Sequence, residues 1–121
     1  MHNGPLYRLA EQAHHAATVK GFYTSPDRNI GELLMLCVTE LAEAMEAVRV
    51  KYYCGLTTTS NKIIPQEKFE QYVKDSFEDE IADCFIRLLD LCGYKNIPID
   101  WHIKQKMAYN KTRPAQHNKT C

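Results

Sequence analysis

A chain of 121 residues with 15 basic and 15 acidic side chains fits one domain with a single core. Zero formal net charge excludes the electrostatic footprint of a general nucleic-acid binder or of a protein held on anionic membranes. No signal-peptide pattern and no bilayer-length apolar run is visible. The five cysteines are odd in number, contain no C-x-x-C pair, and read as thiols of a reducing, cytoplasmic compartment.

Taken in order, the chain predicts four main helices and no strand of useful length. Pro5 suits a first helical position, and Leu6, Leu9, Ala10, Ala13 and Ala17 form a stripe that ends before Gly21. His14 and His15 lie on this helix, either at the core edge and in solvent or against a polar ligand. Phe22 and Tyr23 follow on a loop, where aromatics serve as lids on a core or as a wall for a stacked base. Asn29 is a capping residue for a second helix from about Ile30 to Tyr52. Residues 54 to 64, rich in Thr, read as a loop. A third helix is expected from Pro65 to Cys92, stopped by Gly93 as a C′ glycine. A fourth runs from Pro98 to Asn110 or Lys111, with Ile99, Ile103 and Met107 toward the core and Trp101 as a further candidate. Residues 115 to 121 read as a polar, mobile tail.

The anomaly of the sequence lies in its second and third helices. Leu33, Leu36, Cys37, Leu41, Ala44 and Val48 make an apolar stripe, and Glu40 interrupts it between Cys37 and Ala44. Val73, Phe77, Cys84 and Leu88 make another, interrupted by Glu80. Each acid has a second three residues on, Glu43 and Asp83. Residues i and i+3 differ by about 60° around a helix axis, so each pair projects together. If the two helices lie antiparallel, Glu40, Glu43, Glu80 and Asp83 meet at one point. Buried carboxylates must be paired or bind a cation, and an all-oxygen set suits Mg²⁺ or Mn²⁺. Glu-x-x-His, the di-iron signature, is absent from both helices. The competing reading is a solvated or salt-bridged set. Glu46 extends the first motif, and an ion pair with Arg49 is its expected role.

A Mg²⁺ site meets substrates through phosphate oxygens. Lys106, Asn110 and Arg113, spaced i, i+4 and i+7, share a face and offer donors to such oxygens, or else form a solvated C-terminal face. The chemistry these residues suggest is metal-assisted hydrolysis of a phosphoanhydride.

The stretches K-G-F-Y, R-N-I-G-E-L-L-M-L-C-V-T-E-L-A-E-A-M-E-A-V-R, D-E-I-A-D-C-F-I-R-L-L-D and K-M-A-Y-N-K-T-R-P together resemble the MazG-like branch of the all-α nucleoside triphosphate pyrophosphohydrolases. The resemblance spans about His14 to Pro114, within a domain of residues 1 to 114. It implies a four-helix-type MazG-like bundle whose core is completed by oligomerisation, as a dimer or tetramer. It implies Mg²⁺-dependent hydrolysis of (deoxy)nucleoside triphosphates to a nucleoside monophosphate and pyrophosphate. Glu40, Glu43, Glu80 and Asp83 are then the metal ligands and catalytic acids. Lys106 and Asn110, with Arg113, face the phosphates, and His14, Phe22 and Tyr23 border the base or sugar. The sequence departs from the family in its long Thr-rich linker and in Tyr23, where relatives often carry Trp. The alternatives are a catalytically silent helical oligomerisation or adaptor module, and the same chemistry on another nucleotide such as phosphoribosyl-ATP.

Overall fold

The computed structural model describes residues 4–25, 27–54 and 61–114. They form five helices and no strand: α1 Pro5–Val19, α2 Ile30–Arg49, α3 Gln66–Tyr72, α4 Phe77–Tyr94 and α5 Ile99–Thr112. The all-α expectation holds. The tail expected at 115–121 and residues 55–60 of the expected loop lie outside the described residues.

The long third helix of the sequence reading is two helices. The chain closes after α3 with the N–H groups of Val73 and Lys74 both donating to the Phe69 carbonyl. Asp75 then takes a left-handed conformation at φ 67°, which Asp tolerates better than most residues. Ser76, fully buried, starts α4 and accepts a hydrogen bond from the Asp79 N–H at 3.2 Å. The S-x-x-D spacing is an N-terminal capping signal inside an otherwise helical pattern.

Gly93 does not end its helix. Helix α4 continues through Tyr94, and the left-handed residue is Asn96 at φ 54°. Gly93 instead lets α1 approach: a Cβ there would lie 2.6 Å from the Ala10 carbonyl oxygen and 2.8 Å from the His14 Cβ.

Helix α4 is the centre, with α1 along one side and α2 along another. Both pairs are antiparallel. Between α2 and α4, the Phe77 N–H donates to the Tyr52 carbonyl at one end, and the Arg28 N–H donates to the Tyr94 hydroxyl at the other. Between α1 and α4, Ala10 meets Gly93 and His14 meets Asp90. Helix α5 is tied to the start of α1, where the Asp100 carboxylate accepts from the N–H groups of Leu6 and Tyr7 at 3.1 and 2.8 Å. It thereby satisfies two of the donors that a helix N-terminus leaves open.

The core holds Tyr7, Ala10, Leu33, Cys37, Ala44, Ala47, Cys84, Leu91 and Cys92. Several residues expected to face it do not. Leu41, Val48 and Leu88 are 50%, 36% and 41% exposed, and on α5 Trp101, Ile103 and Met107 are also exposed. The reason is geometric: α4 covers one side of α2, and α5 touches the bundle mainly at α1. Leu34, Val38, Leu41, Met45 and Val48, alternating steps of four and three, leave an apolar stripe along α2 facing outward.

Candidate metal centre between α2 and α4

The antiparallel seam sets the site. The Cys84 thiol donates to the Cys37 carbonyl at 3.7 Å. Glu40 lies three residues after Cys37 and Glu80 four before Cys84, so both stand one turn along in the same direction. One carboxylate oxygen each from Glu40, Glu80 and Asp83 lies within 4.8 Å of the others. Glu40 is 7% and Glu80 6% exposed. Glu43, the fourth expected ligand, stands outside this trio, exposed and beside Glu40.

Their electrostatics are those of crowded like charges. Burial, followed by the charges of Glu43, Asp83 and Glu40, pushes the Glu80 carboxyl up to about 7. Burial also raises Asp83, with Asp79 and Glu40 adding to the effect and Arg87 opposing it. Glu43 is raised chiefly by a hydrogen bond with Glu40 and by that residue's charge. Among the described residues, the Glu80 carboxylate has no hydrogen-bond or ion-pair partner. Glu40 has an ion pair with the Arg87 Nε at 3.0 Å, besides its hydrogen bond with Glu43. A buried, unpartnered carboxylate facing two others is unfavourable as it stands. A hard divalent cation held by oxygen would offset it, and the all-carboxylate donor set fits one.

A cleft of about 370 Å³ opens beside the cluster, lined by Glu40, Asp83, Arg87 and Asp90, by Ala13, Ala16 and Ala17 of α1, and by Lys20, Phe22 and Ile86. Three small side chains on one face of α1 leave the room. Phe22 borders the cleft, and the Arg28 guanidinium, 4.2 Å from the ring centroid, and a hydrogen bond from Arg28 Nη1 to the Phe22 carbonyl hold it in place.

Tyr23 and His14 are not among the lining residues. They support Asp90, which does line the cleft. The Tyr23 hydroxyl donates to Asp90 Oδ2 at 2.8 Å, and His14 Nδ1 lies 3.0 Å from Oδ1. Tyr23 also packs on the rings of His14 and Tyr94. Burial, then the bond to Asp90, raises the Tyr23 hydroxyl above its usual range, so it remains a donor.

Lys106 and Asn110 are exposed on α5, Arg113 lies just past its end in extended conformation and so off the expected shared face, and none of the three lines the cleft. Lys106 and Arg113 lie over the Tyr109 ring at 5.3 and 5.7 Å. The structure thus gathers Glu40, Glu80 and Asp83 with Phe22 nearby, and leaves the α5 donors apart.

Sequence reasoning passed over Lys20, Arg87 and Asp90. The signal for two of them was present. Glu80, Asp83, Arg87 and Asp90 are spaced 0, 3, 7 and 10, a continuous polar seam down the face that α4 turns to its neighbours. The expected Glu46–Arg49 pair is formed, at 2.7 Å, on the exposed side of α2.

Compared with known proteins, the chain matches no family model, no curated protein and no solved structure.

Proposed function

We propose that the chain is a Mg²⁺-dependent pyrophosphohydrolase of (deoxy)nucleoside triphosphates, releasing a nucleoside monophosphate and pyrophosphate. The observation that carries this reading is the Glu80 carboxylate, buried, without a partner among the described residues, and close to carboxylate oxygens of Glu40 and Asp83 across two helices. Such an arrangement of charges is unfavourable, and a proton or a bound cation relieves it. The motif order that resembles MazG-like enzymes supports the nucleotide substrate.

Glu40, Glu80 and Asp83 would hold the divalent ion. When bound, the ion supplies Lewis-acid polarisation of a phosphoryl oxygen. Glu43, exposed beside the trio, would take a proton from the attacking water. The water oxygen bonds to the α phosphorus, the bond from that phosphorus to the bridging oxygen breaks, and pyrophosphate leaves with the electron pair. Lys20, on the cleft wall, offers a donor to the leaving phosphates. Phe22 provides an apolar edge for the base or sugar. The outward apolar stripe of α2 supports completion of the core by a second copy.

The rival reading is a silent helical module, and the Arg87–Glu40 pair favours it, because it neutralises one carboxylate without a metal. Incubation of the purified chain with Mg²⁺ and a panel of nucleoside triphosphates, read by pyrophosphate release, separates the two. Release that disappears in Glu80→Gln supports the enzyme. No release from any nucleotide overturns it.

A further inference from the structure

The nearly buried Glu40 has its strong partner on another helix. Arg87 follows Asp83 by one turn of α4, and its Nε donates to Glu40 Oε2 at 3.0 Å. Nη1 and Nη2 make no hydrogen bond to a described residue. The guanidinium lies 5.7 Å from the Phe22 ring centroid, and 36% of the Arg87 side chain is exposed on the cleft. Glu80, beside it, remains unpaired. One cation is therefore committed to one carboxylate of a cluster that needs more positive charge than it has.

We propose that Arg87 is an exchangeable counter-cation: it holds Glu40 while the cleft is metal-free, releases that carboxylate to a divalent ion, and turns its guanidinium to the anionic phosphate that enters with the ion. The inference rests on the carboxylate trio being a metal site. A carboxylate oxygen that accepts from a guanidinium has less electron density to offer a metal, and two cations at one carboxylate repel. The same guanidinium suits phosphate, whose oxygens match its planar fork of donors. The bond through Nε leaves both terminal nitrogens for such acceptors, and a partly exposed side chain of several rotatable bonds can pivot without unpacking the seam. Arg87 thus opposes metal binding when the cleft is empty and favours the metal–phosphate complex when it is full.

Those opposite signs make the test. Mn²⁺ binding is measured by electron paramagnetic resonance on wild type, Arg87→Met and Arg87→Lys, with the helical content of each checked by circular dichroism. Binding of inorganic tripolyphosphate to each protein in saturating Mn²⁺ is measured by calorimetry. Arg87→Met is expected to bind Mn²⁺ about threefold or more tighter, an effect held down by solvent screening at this partly exposed position. It is expected to bind tripolyphosphate about tenfold or more weaker, the scale for losing a charged donor. Arg87→Lys should fall between it and wild type in both. Mn²⁺ binding by Arg87→Met but not by wild type would also support the exchange. Wild-type binding of Mn²⁺ with Arg87→Met unchanged or weaker overturns the exchange and leaves the metal site standing. No Mn²⁺ binding by any of the three overturns the metal site and the exchange with it.

Discussion

The Cys84 thiol and the Cys37 carbonyl, 3.7 Å apart, fix the register by which two helices distant in sequence bring their acids together. Both thiols are buried, and burial followed by the neighbouring Cys84 raises the Cys37 thiol. A slip of one residue along either helix would rotate its acid by about 100° and disperse the trio.

Divalent metal should stabilise the fold through this trio. At a free Mg²⁺ or Mn²⁺ concentration a hundredfold above Kd, linkage gives about 2.7 kcal/mol, a rise in Tm of several degrees. Glu80→Gln should abolish that rise. It should also raise the metal-free Tm, because it replaces a buried carboxylate by a neutral group of the same shape. Thermal denaturation of both proteins with and without metal checks this, and an equal metal response in Glu80→Gln would sink the site.

The pH dependence follows from the sign of the Glu80 shift. Its carboxyl titrates near 4.5 when the chain is unfolded and at about 7 when folded. Between these values the folded state holds a proton that the unfolded state has lost. Stability therefore falls as pH rises through this window and levels off above it. The group contributes a loss of about 3 kcal/mol across the window, by the free energy equivalent of its shift. Glu43 and Asp83 are shifted in the same direction. Urea titrations of metal-free protein at pH 5 and pH 8 should give the lower stability at pH 8, and Glu80→Gln should flatten the difference. Because metal replaces the proton, the metal-induced gain should be larger at pH 8 than at pH 5.

Gly93→Ala should be destabilising although alanine is the better helix former. Helix propensity favours alanine by about 1 kcal/mol at an interior position. Against this, the new Cβ would meet Ala10 backbone at 2.6 Å and His14 Cβ at 2.8 Å. The two helices must separate, at about 1–3 kcal/mol. The net effect should be a loss of stability together with a loosened His14–Asp90 contact, visible as changed His14 chemical shifts by NMR. Unaltered stability and an unaltered His14 signal would contradict the close approach of α1 and α4.

The helices were legible in the sequence where apolar residues recur at helical spacing, as in α1 and α2. The acids of the trio were legible for the opposite reason: Glu40 and Glu80 broke a stripe that burial had to complete. What sequence spacing could not give was the outer limit of burial. Leu41 and Leu88 carry the same helical period as Cys37 and Cys84, yet no described helix covers them. Periodicity identifies an apolar face without saying how much of it the same chain will bury. The break at Asp75–Ser76 was hidden because a left-handed residue depends on tertiary closure as much as on residue type. Asp90 was passed over, since its partners His14 and Tyr23 lie 76 and 67 residues away.

The last prediction concerns the α5 donors. Lys106 and Asn110 were expected at the phosphates, yet they lie on an exposed face of a helix tied to the far end of α1. If the proposed function holds and they do serve phosphate, the cleft they serve belongs to a second copy of the chain. The exposed stripe of Leu34, Val38, Leu41, Met45 and Val48 provides a surface on which copies can pair. Lys106→Ala should then lower kcat/KM by about 10²-fold, the scale for one preorganised donor, with stability changed by no more than about 0.5 kcal/mol. Glu80→Gln should be inactive through its own cleft. Mixed and allowed to exchange subunits, the impaired Lys106→Ala and the inactive Glu80→Gln proteins should together exceed the activity of either, because some mixed assemblies pair an intact carboxylate trio with an intact Lys106. Leu41→Asp, which places a charge in the stripe, should shift sedimentation toward the 14.0 kDa monomer and abolish the rescue. Rescue absent from a mixture shown by sedimentation to contain mixed assemblies would assign Lys106 to a solvated surface.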